Sequence, residues 1–89
     1  MTPWHVYILR CADNSLYTGV TTDVQRRVEE HNNDNRLGAK YTRARRPVSL
    51  VFEQPFTSRS DACKAETAIK TLSKTEKELM IQSAQCGTE

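Results

Sequence analysis

The fold is decided by the stretch WHVYILRCADNSLYTGVT at residues 4–21. Residues 4–9 and 16–21 are rich in β-branched and aromatic side chains, a composition typical of β-strands. Residues 12–15, with the sequence ADNS, form a polar turn cluster between them. The stretch therefore predicts two strands that pair as an antiparallel hairpin.

The register of this hairpin decides whether its two tyrosines, Tyr7 and Tyr17, face the same way. Side chains along a strand alternate between the faces of a sheet, so the two rings share a face only if the loop has an odd length. Such a loop is centred near Asp13. We predict that register.

A helix is predicted over residues 24–33, which contain no Gly or Pro. At about 100° per residue, Arg27 and His31 fall on the same stripe as the apolar residues, whereas Arg26 points elsewhere. We therefore expect Arg26 in solvent and Arg27 against the body of the protein. A cation on the apolar side of a helix is costly unless it serves a purpose there.

Further along the chain, residues 48–53 predict a third strand in which Val48, Leu50 and Phe52 alternate with more polar positions. Ser58 marks the start of a second long helix. Its apolar residues recur at helical spacing, at Ala62, Ala65, Ile69 and Leu72. Glu66 lies at the edge of that stripe. Ser73 and Glu76 form a capping box that begins a last helix.

These elements predict an α+β fold, a small three-stranded antiparallel sheet flanked by helices. With 89 residues there is room for one modest core, so we expect a single domain over residues 1–83 and a flexible tail over residues 84–89. The three cysteines have no disulfide or zinc-ligand spacing, which favours reduced thiols. No apolar run approaches the length of a membrane span, so we expect a cytoplasmic protein.

The distribution of charge points to a polyanionic partner. Residues 36–46 contain five cations and no carboxylate, although the net charge of the chain is only +2. Such a segment repels itself unless an anion neutralises it, and a nucleic-acid backbone is the commonest biological anion of matching charge density. A solvated basic loop is the alternative interpretation of this feature.

The order of the polar residues adds a resemblance to a known family. The sequence His5-Val6-Tyr7 closes the first strand, Tyr17-Thr18-Gly19 follows in the second, Arg27 and His31 lie in the next helix, and Glu66 comes later. This order resembles the GIY-YIG nuclease superfamily, in particular its compact stand-alone type, which is YhbQ-like. The two name-giving tripeptides differ here, but both keep their tyrosine and the second keeps its glycine.

The resemblance implies an endonuclease that hydrolyses phosphodiester bonds with the help of Mg²⁺ or Mn²⁺. Glu66 would be the only protein ligand of the metal, and Arg27 would hold the phosphate as negative charge builds on it. Tyr7 is favoured as the general base and Tyr17 as the group that orients water or phosphate. His31 would bond a tyrosine hydroxyl or the phosphate, or help to move the proton. His5, on the strand face of Tyr7, is a weaker auxiliary candidate.

Gly19 permits either a close approach of the backbone at the site or a strand irregularity. The expected substrate is DNA, gripped through its backbone or its structure rather than its sequence, with a role in DNA repair or recombination and no obligate protein partner. The residues expected to contact it are Lys40, Tyr41, Arg43, Arg45 and Lys70. The alternatives are a non-catalytic module that binds DNA or RNA on the same fold, and a nuclease directed at RNA.

Overall fold

A computed structural model describes residues 3–34 and 36–86 of the chain, and within them three strands and four helices follow one another. Their order is β1 (Trp4–Arg10), β2 (Leu16–Thr21), α1 (Val24–Asn33), α2 (Lys40–Arg43), β3 (Ser49–Phe56), α3 (Arg59–Lys70) and α4 (Lys74–Cys86). The strands form one antiparallel sheet in the order β2-β1-β3, so the predicted fold class is confirmed.

The hairpin of β1 and β2 has the predicted register. Tyr7 pairs with Gly19 and Leu9 pairs with Tyr17, so the loop covers residues 11–15 and is centred on Asp13. Paired residues lie on the same face of a sheet. Tyr7 and Tyr17 therefore face the same side.

The central strand β1 supplies both halves of the core. Val6 and Ile8 are fully buried on the face that α3 and α4 cover, together with Ala62, Ile69 and Ile81. Tyr7 and Leu9 are buried on the opposite face, where Val24 of α1 packs. Because each face of β1 is covered, the strand is apolar along most of its length rather than alternating.

The third strand departs from the predicted simple alternation. Ile8 pairs with Phe52 but Leu9 pairs with Leu50, so Val51 is an extra residue in a β-bulge. The bulge turns Leu50 and Phe52 to opposite faces: Phe52 packs on the core beneath α3 and α4, whereas Leu50 is 40% exposed. The strand also runs further than predicted, through Pro55, which an edge strand tolerates because its missing N–H is not needed.

The helix starts follow from local capping. Asp23 caps α1 by accepting the N–H of Arg26, and Ser58 caps α3 by accepting that of Asp61. Ser73 and Glu76 form the predicted capping box at the start of α4, each side chain accepting the other's backbone N–H.

Part of the segment predicted as a flexible tail, residues 84–89, belongs to helix α4. Helix α4 continues through Cys86, because Gly and Pro are absent between its start and Gly87, so residues 84–86 are helical. The remaining residues of the predicted tail, 87–89, lie outside the described residues. Within the part of the chain that the structure describes, no helix is long and apolar enough to cross a membrane.

Candidate active site

Four of the five residues predicted to be catalytic line one open cavity of about 250 Å³: Tyr7, Tyr17, Arg27 and Glu66. The cavity lies beside the edge strand β2, where Gly19 and Val20 form part of its wall. The tyrosines come from the sheet face that α1 covers, whereas α3 packs against the other half of the core and supplies Glu66. The fold thus brings residues from four elements to one point.

Gly19 makes room for the ring of Tyr7. The two residues are a cross-strand pair, and a Cβ atom built on Gly19 would lie only 2.6 Å from the Cζ atom of Tyr7. Real Cβ atoms essentially never come so close. The glycine therefore serves a close approach, and not the backbone freedom of a positive φ angle.

A buried chain of polar groups leads from Tyr7 to the segment that follows α1. The Tyr7 hydroxyl lies 3.0 Å from Nε2 of His31, and Nδ1 of His31 lies 2.9 Å from the hydroxyl of Thr42. All three side chains are almost completely buried. Nδ1 also lies 3.3 Å from the backbone nitrogen of Ala39, and the Thr42 hydroxyl donates its proton to the Ala39 carbonyl at 2.9 Å. The neutral imidazole therefore links the Tyr7 hydroxyl to Thr42 and to the backbone of Ala39.

Burial dominates the acid–base properties of this pair. Burial, with a smaller effect of Tyr17, raises the pKa of Tyr7 to about 12, although the Arg27 guanidinium lowers it. Burial and then the charge of Arg27 lower the pKa of His31 to about 4. At neutral pH the chain alone therefore holds a neutral tyrosine beside a neutral histidine.

Arg27 and its neighbour Arg26 are separated as helical phase predicts. The Arg26 side chain is 60% exposed, whereas that of Arg27 is 25% exposed and lines the cavity. Arg27 donates to the carboxylate of Glu30 at 2.8 Å and to the carbonyl of Leu37. These contacts fix the guanidinium in place beside Tyr7. Sequence reasoning missed Glu30, although its position three residues beyond Arg27 is a usual spacing for a helical ion pair.

Glu66 reaches the cavity from a half-buried position on α3. Its Oε2 atom forms an ion pair at 3.1 Å with Nζ of Lys70, which lies one turn further along the helix. In residues 3–34 and 36–86, no three His, Cys, Asp or Glu side chains converge to hold a metal. Glu66 is the one carboxylate among the described residues that line the cavity, so a cation there would complete its shell with water or substrate oxygens.

The geometry agrees with a comparison against known protein families. Residues 3–79 match the model of the GIY-YIG catalytic domain. The chain belongs to the GIY-YIG family. Each residue of the cavity lies inside the matched range.

Relatives of this GIY-YIG domain cover most of its length. It is 50% identical over 84 residues to UPF0213 protein DP2720 of Desulfotalea psychrophila, a match that covers 94% of this chain and 76% of the relative. It is 47% identical over 81 residues to UPF0213 protein YhbQ of Escherichia coli, covering 91% and 79%.

Two solution NMR structures are similar to this GIY-YIG domain. UPF0213 protein BH0048 of Bacillus halodurans has a TM-score of 0.58 and 45% identity, with 90% of this chain and 83% of that chain covered. Protein EF2693 of E. faecalis has a TM-score of 0.65 and 39% identity, with 97% and 90% covered.

The basic segment of the GIY-YIG domain contains the short helix α2, which the sequence did not predict. Lys40, Tyr41 and Arg43 are exposed on it. The ring of Tyr41 stacks on Tyr17 with centroids 6.0 Å apart, and the guanidinium of Arg45 lies 4.0 Å above the centroid of the Tyr41 ring. Arg45 also donates to Asp13 at 3.1 Å and to the Tyr41 carbonyl at 2.9 Å. The basic segment, residues 36–46, is therefore held against the β1–β2 hairpin by contacts with Tyr17 and Asp13.

Thr42 and Arg46 make buried or half-buried contacts behind the site that the sequence did not predict. Thr42 is fully buried behind His31, a role that no local pattern announces. Arg46, one of the five cations, donates to the carbonyls of His31 at 2.6 Å and Asp34 at 2.8 Å, and so binds the end of α1. His5, the weaker candidate, lies in a separate groove with Val28 of α1 and Leu50 of β3.

We expect Gly19→Ala to destabilise the GIY-YIG domain by about 1–3 kcal/mol, because the added methyl group meets the ring of Tyr7. Urea unfolding of Gly19→Ala, Tyr7→Leu and the double variant measures this coupling. The double variant should lose clearly less than the sum of the single losses, since leucine vacates the ring's space. Strictly additive losses would contradict the steric role of Gly19.

We expect the free energy of unfolding to fall as the pH drops from about 6.5 to about 4. In that range His31 binds a proton in the unfolded chain but not in the folded one, so stability rises with pH. The full effect is roughly 3 kcal/mol. Urea unfolding at several pH values should give a flatter dependence for His31→Gln than for the wild type. The only other histidine of the chain offers the control: His5→Gln should show the wild-type dependence of unfolding free energy on pH. An unchanged dependence in His31→Gln would contradict the lowered pKa of His31.

Proposed function

We propose that this chain is a divalent-metal-dependent endonuclease that hydrolyses phosphodiester bonds in DNA and recognises the backbone or the structure of its substrate rather than its sequence. The observation that carries the proposal is the convergence of Tyr7, Tyr17, Arg27 and Glu66 on one cavity. Membership of the GIY-YIG family supports the nuclease class. The metal, the choice of DNA and the roles of single residues are parts of the proposal.

The carboxylate of Glu66 fits the cation. Hard cations such as Mg²⁺ and Mn²⁺ prefer carboxylate oxygens, and Mg²⁺ keeps several waters and takes phosphate oxygens as further ligands. The Glu66 side chain is 23% exposed, so water and a phosphate can reach it. A cation bound there would supply positive charge that neutralises the phosphate and lowers the pKa of Tyr7. It would also displace Lys70 from the carboxylate.

Tyr7 is the proposed general base that takes a proton from the attacking water. Its pKa of about 12 means that it needs stabilisation of the phenolate to act near neutral pH. Two groups would supply part of it: His31, which donates to a phenolate in the tautomer that carries its proton on Nε2, and Arg27, whose charge lies beside Tyr7. His31 is neutral at pH 7, so its proposed role is to donate this hydrogen bond.

Arg27 is the proposed holder of the scissile phosphate. A guanidinium is always charged and presents a planar fork of N–H groups that matches two phosphate oxygens. Glu30 and the carbonyl of Leu37 occupy part of that fork and set its direction. Tyr17 stands on the same wall of the cavity and would orient the water or the phosphate.

The proposed grip on DNA uses the exposed cations beside the cavity. Lys40 and Arg43 are exposed on α2, and Tyr41 beside them is 39% exposed. Such side chains bind phosphates without reading base edges, which supports recognition of backbone or structure. Arg45 and Lys70 have protein partners in Asp13 and Glu66, so a phosphate would compete with those carboxylates.

We expect Glu66→Ala to lower cleavage by at least about 100-fold, because loss of a bound cation removes several kcal/mol of transition-state stabilisation. Cleavage of plasmid, flap, junction and single-stranded DNA in Mg²⁺, in Mn²⁺ and in EDTA measures this, with matched RNA alongside. Binding and thermal stability should stay close to the wild type, since the ion pair with Lys70 is a surface pair. The exposed Glu29→Ala serves as control.

Undiminished cleavage by Glu66→Ala, or cleavage that persists in EDTA, would overturn the metal assignment. Tight binding without cleavage of any substrate by the wild type would indicate a non-catalytic module on this fold. Preferred cleavage of the matched RNA would indicate an RNA-directed nuclease.

We expect Arg27→Lys to lower kcat by about 100-fold, because an ammonium keeps the charge but loses the fork that holds two oxygens. Arg26→Lys is the matched control: it changes the adjacent residue of the same helix in the same way, and activity should stay within about twofold. Single-turnover cleavage in saturating metal separates the chemical step from binding. Equal losses in the two variants would contradict a specific role for the guanidinium of Arg27.

A further inference from the structure

The cavity has a wall that the proposed chemistry does not use. Trp4 of β1 and Arg59, the first residue of α3, line the same cavity as Tyr7 and Glu66. The guanidinium carbon of Arg59 lies 5.6 Å from the centroid of the Trp4 ring, so the cation rests over an aromatic face. This contact orients Arg59 at the rim of the cavity.

The phase of α3 explains why this arginine reaches the cavity. Arg59, Cys63 and Glu66 are spaced by four and three residues, which places them on one stripe of a helix. Seven residues separate Arg59 from Glu66, which corresponds to about 10 Å along the axis. That distance equals roughly three nucleotides of the rise of B-form DNA.

Arg59 carries a charge that no carboxylate of residues 3–34 or 36–86 neutralises. Lys70 pairs with Glu66 and Arg27 pairs with Glu30, whereas Arg59 forms no ion pair with a carboxylate of residues 3–34 or 36–86. An unneutralised cation at the mouth of a site for a polyanion attracts a phosphate.

Arg59 and the basic segment lie near opposite ends of β1. Tyr41 stacks on Tyr17, which pairs with Leu9 of β1, and Trp4 lies five positions earlier in the same strand. Five residues of a strand span about 17 Å. Along β1, Tyr7 therefore lies between the contact with Arg59 and the contacts of the basic segment.

We propose that Arg59, oriented by Trp4, binds a backbone phosphate of the substrate about three nucleotides from the bond that is cut, on the side opposite α2. This inference rests on the proposed nuclease function. The contact belongs to substrate binding, so its loss should raise KM and leave kcat within about twofold.

The test measures the binding of a DNA oligonucleotide in EDTA at several salt concentrations, which excludes cleavage. Each phosphate contact contributes about 0.9 to the slope of log K against log salt for duplex DNA and about 0.7 for a single strand. Arg59→Ala should lower the slope by that amount, and Arg59→Lys should restore it. The control is Lys64→Ala, an exposed cation of the same helix that points about 140° away from Arg59.

The only tryptophan of the chain supplies a second readout. Trp4 fluorescence should change on binding of the oligonucleotide, and the change should be much smaller in Arg59→Ala because no phosphate is then held beside the ring through Arg59. If the wild type binds with the same salt slope and the same fluorescence change as Arg59→Ala, this inference is overturned and the proposed function stands. If the wild type binds no oligonucleotide, the proposed function itself fails.

Discussion

The site depends on the passage of the Tyr7 ring over the α-carbon of Gly19, and this passage depends on the register of the hairpin. The turn sets that register: Asp13 accepts the N–H and the hydroxyl of Ser15, and Asn14 adopts a φ of 70°. Asparagine tolerates this left-handed conformation better than most residues. A slip by one residue would turn Tyr17 to the other face and oppose Tyr7 with a residue that has a Cβ atom. The hydrogen bonds of the turn therefore position both tyrosines at the cavity, because they set which residues of β1 and β2 pair.

The same turn also holds the basic segment. The carboxylate of Asp13 accepts a hydrogen bond from the guanidinium of Arg45, which lies over the ring of Tyr41. Tyr41 in turn stacks on Tyr17. From the other side, Thr42 of α2 reaches His31 behind Tyr7. A segment of like charges is unfavourable by itself, so these contacts are what keep α2 beside the cavity. The contacts that hold the exposed cations of α2 beside the cavity thus also hold Tyr17, through Tyr41, and Tyr7, through His31.

Local patterns predicted those parts of the structure that short-range chemistry decides. The phase of α1 separated Arg27 from Arg26, the loop length gave the hairpin register, and the capping box located the start of α4. The bulge at Val51 was missed because it arises where β3 must pair with a central strand that is buried on both faces. The burial of Thr42 was missed for a similar reason, since only the tertiary fold brings it to His31.

The burial of Tyr7 creates the central difficulty of the proposed chemistry. A ring packed under α1 is held firmly, but the same burial raises the pKa of its hydroxyl to about 12. An incoming phosphate adds negative charge and opposes ionisation further, and Arg27 with the hydrogen bond to His31 offsets only part of this. On the proposed function, a cation at Glu66 is then required by the way the base is buried, and not only by the phosphate. The firm placement of the tyrosine and the dependence on added positive charge have one physical cause.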